Sequence, residues 1–522
     1  MTGKTSPGIW PRPRHLPRRA GLSCALLLLS SLIAMTLPAA GETGKARDWS
    51  ATLKGDAEAM VAFIMANHPG VYDKINPGFK AQVEAARDLA LERAKTADSR
   101  EAWWFAMAGL AASFNDGHVA VDMTDKDFAF STRWPGFLTR YQGADQIVAE
   151  VAAPSGETAP SAHSALPPLG AKLISCDDVA AETLAETRIG AFEGLWFLPA
   201  QRIEEGPKLF IDYGNPWAKL PLRCRFEADG ETRDYRLDWR PIAAETIADA
   251  LTRLRQDIRP PFVMRALPGG GYWLSMSSFN GHEGSVPFKG LTEIIEQARD
   301  HQEALRAAPF VVLDVRGNGG GSSYWSEEIA RILWGKEWIA AHPKPGNDTV
   351  DWRASKGNTA LVETYAEMFR KSGSPAGLSA ELEKIASGMR QSLAAGKPYW
   401  REEDKTKHPP GHAEAIKNPM AGPVYLLTNY RCASSCLTSI DLWKALQGIQ
   451  IGRQTYADSL YLEAHHEVLP SGLVRATTPM KVYRDRARGS NQPQVPAFAY
   501  EGDMTDDAAL LAWIRTLPMS KR

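Results

Sequence analysis

The stretch from Pro309 to Gly321, Pro-Phe-Val-Val-Leu-Asp-Val-Arg-Gly-Asn-Gly-Gly-Gly, constrains this chain more than any other. Phe310 to Leu313 is a continuous apolar run, the pattern of a parallel strand covered on both faces. Gly317, Gly319, Gly320 and Gly321 follow it, permitting positive φ and exposing backbone N–H groups. Such a loop can hold an anion, either a phosphate or the transient oxyanion of a carbonyl under attack. A phosphate site would call for Gly-Lys-Ser/Thr after the glycines, or for the dinucleotide spacing with a later acidic residue, and neither is present. A strand-to-helix turn that uses glycine only for packing fits equally well, so the decision falls to other parts of the chain.

With 522 residues and 44% hydrophobic content the chain can bury a large core, and its length predicts roughly two to four domains. A net charge of -1, from 60 basic and 61 acidic side chains, gives no support to nucleic acid or anionic lipid as partners. The first residues differ in character. Arg12, Arg14, Arg18 and Arg19 precede an apolar stretch from Ala20 to Leu37, and Pro38 to Gly41 supply small residues. Residues 1–41 thus read as a secretory signal peptide, placing the mature chain across the inner membrane in the periplasm. Membrane contact would then arise only through that segment, if it stayed uncleaved. Four cysteines remain beyond it, and an oxidising compartment favours disulfides; four cysteines allow three connectivities, of which Cys176 with Cys224 and Cys432 with Cys436, bracketing a helix start, is one. Zinc held by Cys432, Cys436, His465 and His466 is a weaker alternative.

Residues 42–129 read as a helical domain, with Met60, Phe63 and Ile64 on one helix face and Trp103, Met107, Leu110 and Phe114 on a second helix. The turn Asn115-Asp-Gly-His118 follows, and Val119 to Met123 resume as a strand. Residues 130–245 form a β-rich module with strands at Gln146 to Val151, Ala171 to Ser175 and Cys224 to Ala228. In residues 246–522 a strand from Gly271 to Phe279, a helix around Leu291 to Arg306 and the glycine-ended strand make a βαβ unit. Residues from about 345 to 415 interrupt this alternation as an insertion or lid, with helices at Thr359 to Arg370 and Ala380 to Ala395. The mixed-sign run Arg401 to His408 reads as a solvated loop. Beyond it, Pro423 to Thr428 is an apolar strand, and Leu437, Ile440, Trp443 and Leu446 mark a helix stopped by Gly448.

Ser434 and Ser435 stand at that second strand-to-helix turn, where free N–H groups of a helix start can stabilise negative charge. A serine there is either an N-cap or a nucleophile, and the latter needs a base and a second backbone donor. Taken together and in order, the motifs resemble the tail-specific, or C-terminal processing, serine peptidases and the related tricorn protease core. Phe310 to Gly321 looks like that family's strand and glycine loop, and Val424-Tyr-Leu-Leu-Thr-Asn429 with Cys432-Ala-Ser-Ser435 like its nucleophile segment. Ile451 to Tyr456, Leu469-Pro-Ser-Gly472 and Asp506 to Leu510 resemble the landmarks that follow. Leu169 to Asp178 is similar to part of a PDZ module.

The resemblance implies an α/β fold: a crotonase-like catalytic domain of βαβ units over 246–522, with a helical N-terminal region and a PDZ-like module. It implies an exported serine peptidase acting on peptides or unfolded protein tails, with no metal or organic cofactor, and it sets no oligomeric state. Ser434 takes the nucleophile's place, with backbone donors from Ser435 and from Gly319 or Gly320. The processing peptidases carry Gly-Lys-Gly after the Thr-aromatic pair, whereas here Ala457-Asp458-Ser459 follows Thr455-Tyr456, so the lysine base is missing. His118, in the Asp-Gly-His turn of the tricorn-like branch, is the replacement base, and His465 and His466 are its competitors. The family's orienting glutamate falls nearest Asn491, leaving Asp458, Glu463 and Asp116 as alternatives. Loss of the lysine and of a clear glutamate motivates the alternative, a non-catalytic peptide- or ligand-binding protein on the same fold.

Overall fold

The structure, a computed structural model, describes residues 47–125, 128–152, 165–255, 258–371, 376–402 and 416–518. The expected signal peptide lies outside the described residues, as does most of the charged run ending at His408. Among the described residues no helix is long and apolar enough to cross a membrane.

A six-stranded sheet organises the half of the chain that carries the glycine loop. Its order is Val263–Ala266, Tyr272–Ser275, Val311–Asp314, Val424–Thr428, Ile449–Gly452 and Phe498–Ala499, and every neighbouring pair is parallel except the first. Val311 and Leu313 point into a core shared with Leu291, Ile329, Leu437 and Ile440 of the covering helices. Val312 points the opposite way, into a core with Tyr425, Leu427 and the C-terminal helix residues Leu510 and Ile514. Burial on both faces is what a continuous apolar run encodes, since an alternating strand would leave one face for water. The expected strand from Gly271 to Phe279 is shorter, Tyr272–Ser275, and the helix after it breaks at His301 into Val286–Asp300 and Gln302–Ala307.

At the end of Val311–Asp314 the Asp-Val-Arg sequence forms a buried anchor. Arg316, with 0% exposure, donates from Nε to Asp314 Oδ1 at 2.9 Å and from Nη2 to Asp507 Oδ1 at 2.7 Å. A buried guanidinium is tolerated only when so paired. The base of the glycine loop is thereby tied to the C-terminal helix Asp507–Ile514.

The N-terminal region contains three helices, Trp49–Asn67, Phe79–Ala94 and Arg100–Ala112, where the apolar spacing had marked two. The extra one buries mostly alanine, at Ala86, Ala90 and Ala94, a face too small to stand out in hydrophobic periodicity. Ala120–Met123 then pairs antiparallel with Val474–Thr477 of the thirteen-residue strand Val474–Arg486. That long strand also pairs with Tyr461–Val468 and Gly346–Arg353. One sheet therefore spans from the N-terminal region to the C-terminal half.

The segment around 345–415 supplies the strands Gly346–Arg353 and Tyr399–Glu402 and two helices, Lys356–Lys371 and Ala376–Ala394. Its anchorage runs to the N-terminal helices: Ser355 Oγ donates to Asn67 Oδ1, and Tyr399 Oη to the Pro69 carbonyl. The start of the expected charged loop is instead strand, because Arg401 meets the carboxylate of Asp351 across the pair at 2.7 Å.

Residues 132–242 build a separate layer with the strands Phe137–Gln142, Asp145–Val151, Lys172–Cys176, Arg223–Ala228 and Glu231–Arg236. Cys176 and Cys224 are opposite each other in the ladder and bonded. The layer also holds the short helix Pro199–Glu205, which the strand-rich reading did not mark.

Candidate active site

Val311–Asp314 and Val424–Thr428 are adjacent and parallel, so the loops that follow them leave the same edge of the sheet. Carboxyl ends of parallel strands are where such sheets place their sites. Backbone and amide bonds clamp the two loops: Gly317 N–H donates to Asn429 Oδ1 at 3.0 Å, and Ala433 N–H to the Asn318 carbonyl at 3.2 Å. Asn318 is itself fixed through its side-chain amide, which donates to the Met276 carbonyl at 2.8 Å.

Ser434 precedes the helix Ser435–Ala445 with φ 53° and ψ -123° and makes no capping bond with its side chain. It holds the N-cap position without the side-chain bond that a serine there usually makes. Positive φ at a residue with a Cβ is strained, and such strain recurs at sharp strand-to-helix turns that present a nucleophile. Cys432 and Cys436 are bonded to each other across this turn. That bond removes the zinc alternative, and no group of metal-holding side chains occurs among the described residues.

Gly320 lies against this turn with φ 101°; a Cβ there would come within 2.8 Å of both the Ala433 carbonyl oxygen and Ser434 Cβ. The glycine is needed for the close approach of the loops. Its own N–H donates to Asn318 Oδ1 at 2.9 Å, whereas the N–H groups of Gly319 and Ser435 have no acceptor among the described residues. Gly320→Ala is expected to push the two loops apart and lower kcat/KM on an unfolded protein substrate by about 100-fold or more, as ångström-scale misplacement does. Normal kinetics in that variant would show that the loop spacing is not used in catalysis.

The Asn115–His118 turn is held by its own aspartate, since His118 N–H donates to Asp116 Oδ1 at 2.8 Å. His118 Nδ1 lies 3.7 Å from the same oxygen, an ion-pair distance longer than a hydrogen bond. Burial disfavours the imidazolium, but Asp116, and then Asp458 and Glu463, outweigh it and raise the His118 pKa above its ordinary value. The other Asp116 oxygen accepts from Ser459 Oγ at 2.8 Å, and Tyr456 N–H donates to the Cys432 carbonyl at 3.1 Å. Both the Asp-Gly-His turn and the Ser434 turn are thus fastened to residues 456–459. No hydrogen bond joins His118 to Ser434 in this structure.

The remaining candidates occupy different places. Asn491 donates its side-chain amide to the Asn115 carbonyl at 2.9 Å, bracing the turn, and its Oδ1 is buried without a partner among the described residues. Asp458 is bonded to Arg488, and Glu463 accepts from Lys481 at 3.1 Å. Burial opposes the charge of Lys481, but Tyr483, Glu463 and Glu402 outweigh it and raise its pKa, the reverse of what a lysine base needs. His465 and His466 bond to Asn358 and Thr477, and burial lowers both to about 4.

Two contacts that the sequence did not signal reach the site from the 132–242 layer. Glu204 pairs with Arg431, three positions before Ser434, and Gln201 accepts from Tyr456 Oη at 2.6 Å. Charged and amide side chains of this kind look like solvated surface until the partner strand is known.

Residues 273–496 match Peptidase family S41. Among solved structures, mature CPAF is similar at 12% identity with a TM-score of 0.52, covering 86% of this chain and 93% of that one. Mature CPAF complexed with lactacystin matches equally, at 12% and 0.52, over 86% and 94%. At such identity the likeness speaks for a shared fold. No curated protein matches the chain. The stretch 273–496 is a serine-type peptidase domain.

Proposed function

Starting from that serine-type peptidase domain, we propose an exported peptidase that cleaves peptides or unfolded protein tails with Ser434 as nucleophile and His118 as base. In this reading residues 1–41 direct the chain to the periplasm, 42–129 form the helical region, 130–245 a PDZ-like module and 246–522 a crotonase-like catalytic domain. Ser434 Oγ attacks the scissile carbonyl while His118 takes its proton and later returns it to the leaving amine. The N–H groups of Ser435 and Gly319 receive the oxyanion of the tetrahedral intermediate. Asp116, the carboxylate nearest the imidazole, orients it and stabilises its charged form. The observation that carries this reading is the strained Ser434 without a capping bond, packed against Gly320, with the N–H groups of Ser435 and Gly319 lacking an acceptor among the described residues.

Phosphonylation of the full chain by a serine-reactive fluorophosphonate tests it, with the labelled peptide identified by mass spectrometry. Label on Ser434 and cleavage of an unfolded protein are expected. The lack of a hydrogen bond between His118 and Ser434 favours the alternative, a non-catalytic binding protein. Peptide binding with neither label nor cleavage would establish that alternative.

A further inference from the structure

The serine that opens the helix Ser435–Ala445 is the middle residue of a covalent ring. Cys432 and Cys436, four positions apart, are bonded to each other, with Ser434 two residues from each. Both cysteines have 0% exposure and share the core of Leu426, Leu437 and Ile440. Neither sulfur is open to a reductant in the folded chain, so the bond is a fixed part of the turn rather than a switch.

The two ends of the ring belong to different elements. Cys432 is held in the loop, where its N–H donates to the Asn429 carbonyl at 3.1 Å and its carbonyl accepts from Tyr456 N–H at 3.1 Å. Cys436 sits in the first turn of the helix, whose buried residues include Leu437 and Ile440. The bond therefore fixes the helix start relative to the loop that enters it.

That constraint bears on the two roles open to a serine here. An ordinary N-cap serine has extended backbone angles and takes the N–H of the second or third helical residue on its side-chain oxygen. Those residues are Cys436 and Leu437, and their N–H groups go instead to the carbonyls of Ala433 at 3.1 Å and Ser434 at 2.9 Å. The Ser434 hydroxyl is left out of the cap, at φ 53°. Returning Ser434 to extended angles would reorient the chain between Cys432 and Cys436, whose Cα atoms lie 5.3 Å apart. A disulfide accepts only a narrow range of such separations. A conformation as costly as that of Ser434 persists only where its surroundings over-determine it, and the bridge is the covalent part of those surroundings.

We propose that Cys432 and Cys436 are positioning residues for the peptidase: their bond keeps Ser434 from relaxing into the capping conformation and so keeps its hydroxyl free to attack. This rests on Ser434 being the nucleophile and adds what holds it ready. Without the bond most chains carry Ser434 capped, and the reactive fraction falls while substrate binding does not.

The test compares the full chain with two forms lacking the bond, Cys432→Ala with Cys436→Ala and Cys432→Ala with Cys436→Val. The second keeps the buried volume close to that of the bridge and guards against collapse of the core. A third form, Cys176→Ala with Cys224→Ala, loses the other disulfide, which lies in the 132–242 layer. All are read well below their melting temperatures, by the rate at which a fluorophosphonate labels Ser434 and by kcat and KM on an unfolded protein. Both forms without the Cys432–Cys436 bond are expected to label about 10- to 100-fold more slowly, with kcat falling alike and KM within about two-fold. The form without the Cys176–Cys224 bond should lose stability yet label at the rate of the full chain. Full-rate labelling in either form lacking the Cys432–Cys436 bond, an equal slowing in the form lacking the other bond, or a loss carried by KM would overturn the positioning role. Failure of both forms to fold would overturn it too, by giving the bond a part in folding alone. Absence of label on Ser434 in the unaltered chain would instead remove the peptidase reading on which the proposal rests.

Discussion

Ser434→Ala is expected to abolish peptide hydrolysis, lowering kcat by about a million-fold, to the residual rate that binding and backbone donors alone support. The loss is this large because no other group can supply the bond to the carbonyl carbon, and the remaining parts of the site act only through that nucleophile. Folding should be unaffected. At φ 53° and ψ -123°, alanine meets the same steric cost as serine, about 1–3 kcal/mol for a residue with a Cβ in such a conformation. Ser434→Gly keeps the catalytic loss but releases that strain, so it should melt at a higher temperature than Ser434→Ala. The control is Ser435→Ala, which removes a buried hydroxyl that has no partner among the described residues and keeps the N–H proposed to receive the oxyanion. It should retain most of the activity. Hydrolysis surviving in Ser434→Ala and lost in Ser435→Ala would move the nucleophile by one residue.

How far the site could be read from the sequence depended on whether its residues signal locally. The glycine loop and the Ser434 turn were legible because each follows an apolar strand, and strands buried on both faces show as unbroken runs such as Val311 to Leu313. The Asp-Gly-His turn was legible as a turn, but its attachment to the C-terminal half was not. That attachment depends on Ala120–Met123 pairing with Val474–Thr477, more than 350 positions away, along a strand that also carries Arg475, Lys481 and Arg484. Each of these is paired with an acid, Asp122, Glu463 and Asp351 respectively, so a strand bordering the core looks like a charged surface segment. The orienting residue was ambiguous for a related reason. Asp116, Asp458 and Glu463 all act on His118, and only the fold separates the 3.7 Å neighbour from those that act through space. The docking of Glu204 on Arg431 and of Gln201 on Tyr456 had no sequence signal, since a helix of only seven residues has too little periodicity to reveal its buried face.

The pH dependence separates a working His118–Asp116 pair from an inert one. A general base acts in its neutral form, so kcat/KM should rise with pH through the His118 pKa, which the Asp116 carboxylate places above the ordinary imidazole value. His68 does not confuse this limb, because burial holds its pKa at about 4 despite Asp116 and Asp73 nearby. Asp116→Asn removes the main group that offsets burial, so the acidic limb should move to lower pH. The plateau should fall by about 100- to 10,000-fold, because the imidazolium formed in the transition state loses its counter-charge. His118→Ala should cause a similar fall and erase the limb. The same pair affects stability with a definite sign. A raised folded pKa means that protonated His118 stabilises the fold fully below its unfolded pKa, and this contribution disappears as pH rises through the folded value. Asp116, whose pKa its histidine neighbours lower against the opposing effect of burial, contributes above its unfolded pKa and loses that contribution as pH falls through the folded one. Asp116→Asn should therefore destabilise the chain most at mildly acidic pH, where both charges are present, and less at about pH 9, where His118 is neutral. Thermal melts across that range would reveal the pattern. An acidic limb that stays in place in Asp116→Asn, with an unchanged plateau, would instead assign the orienting role to Asp458 or Glu463, both of which raise the His118 pKa from further away.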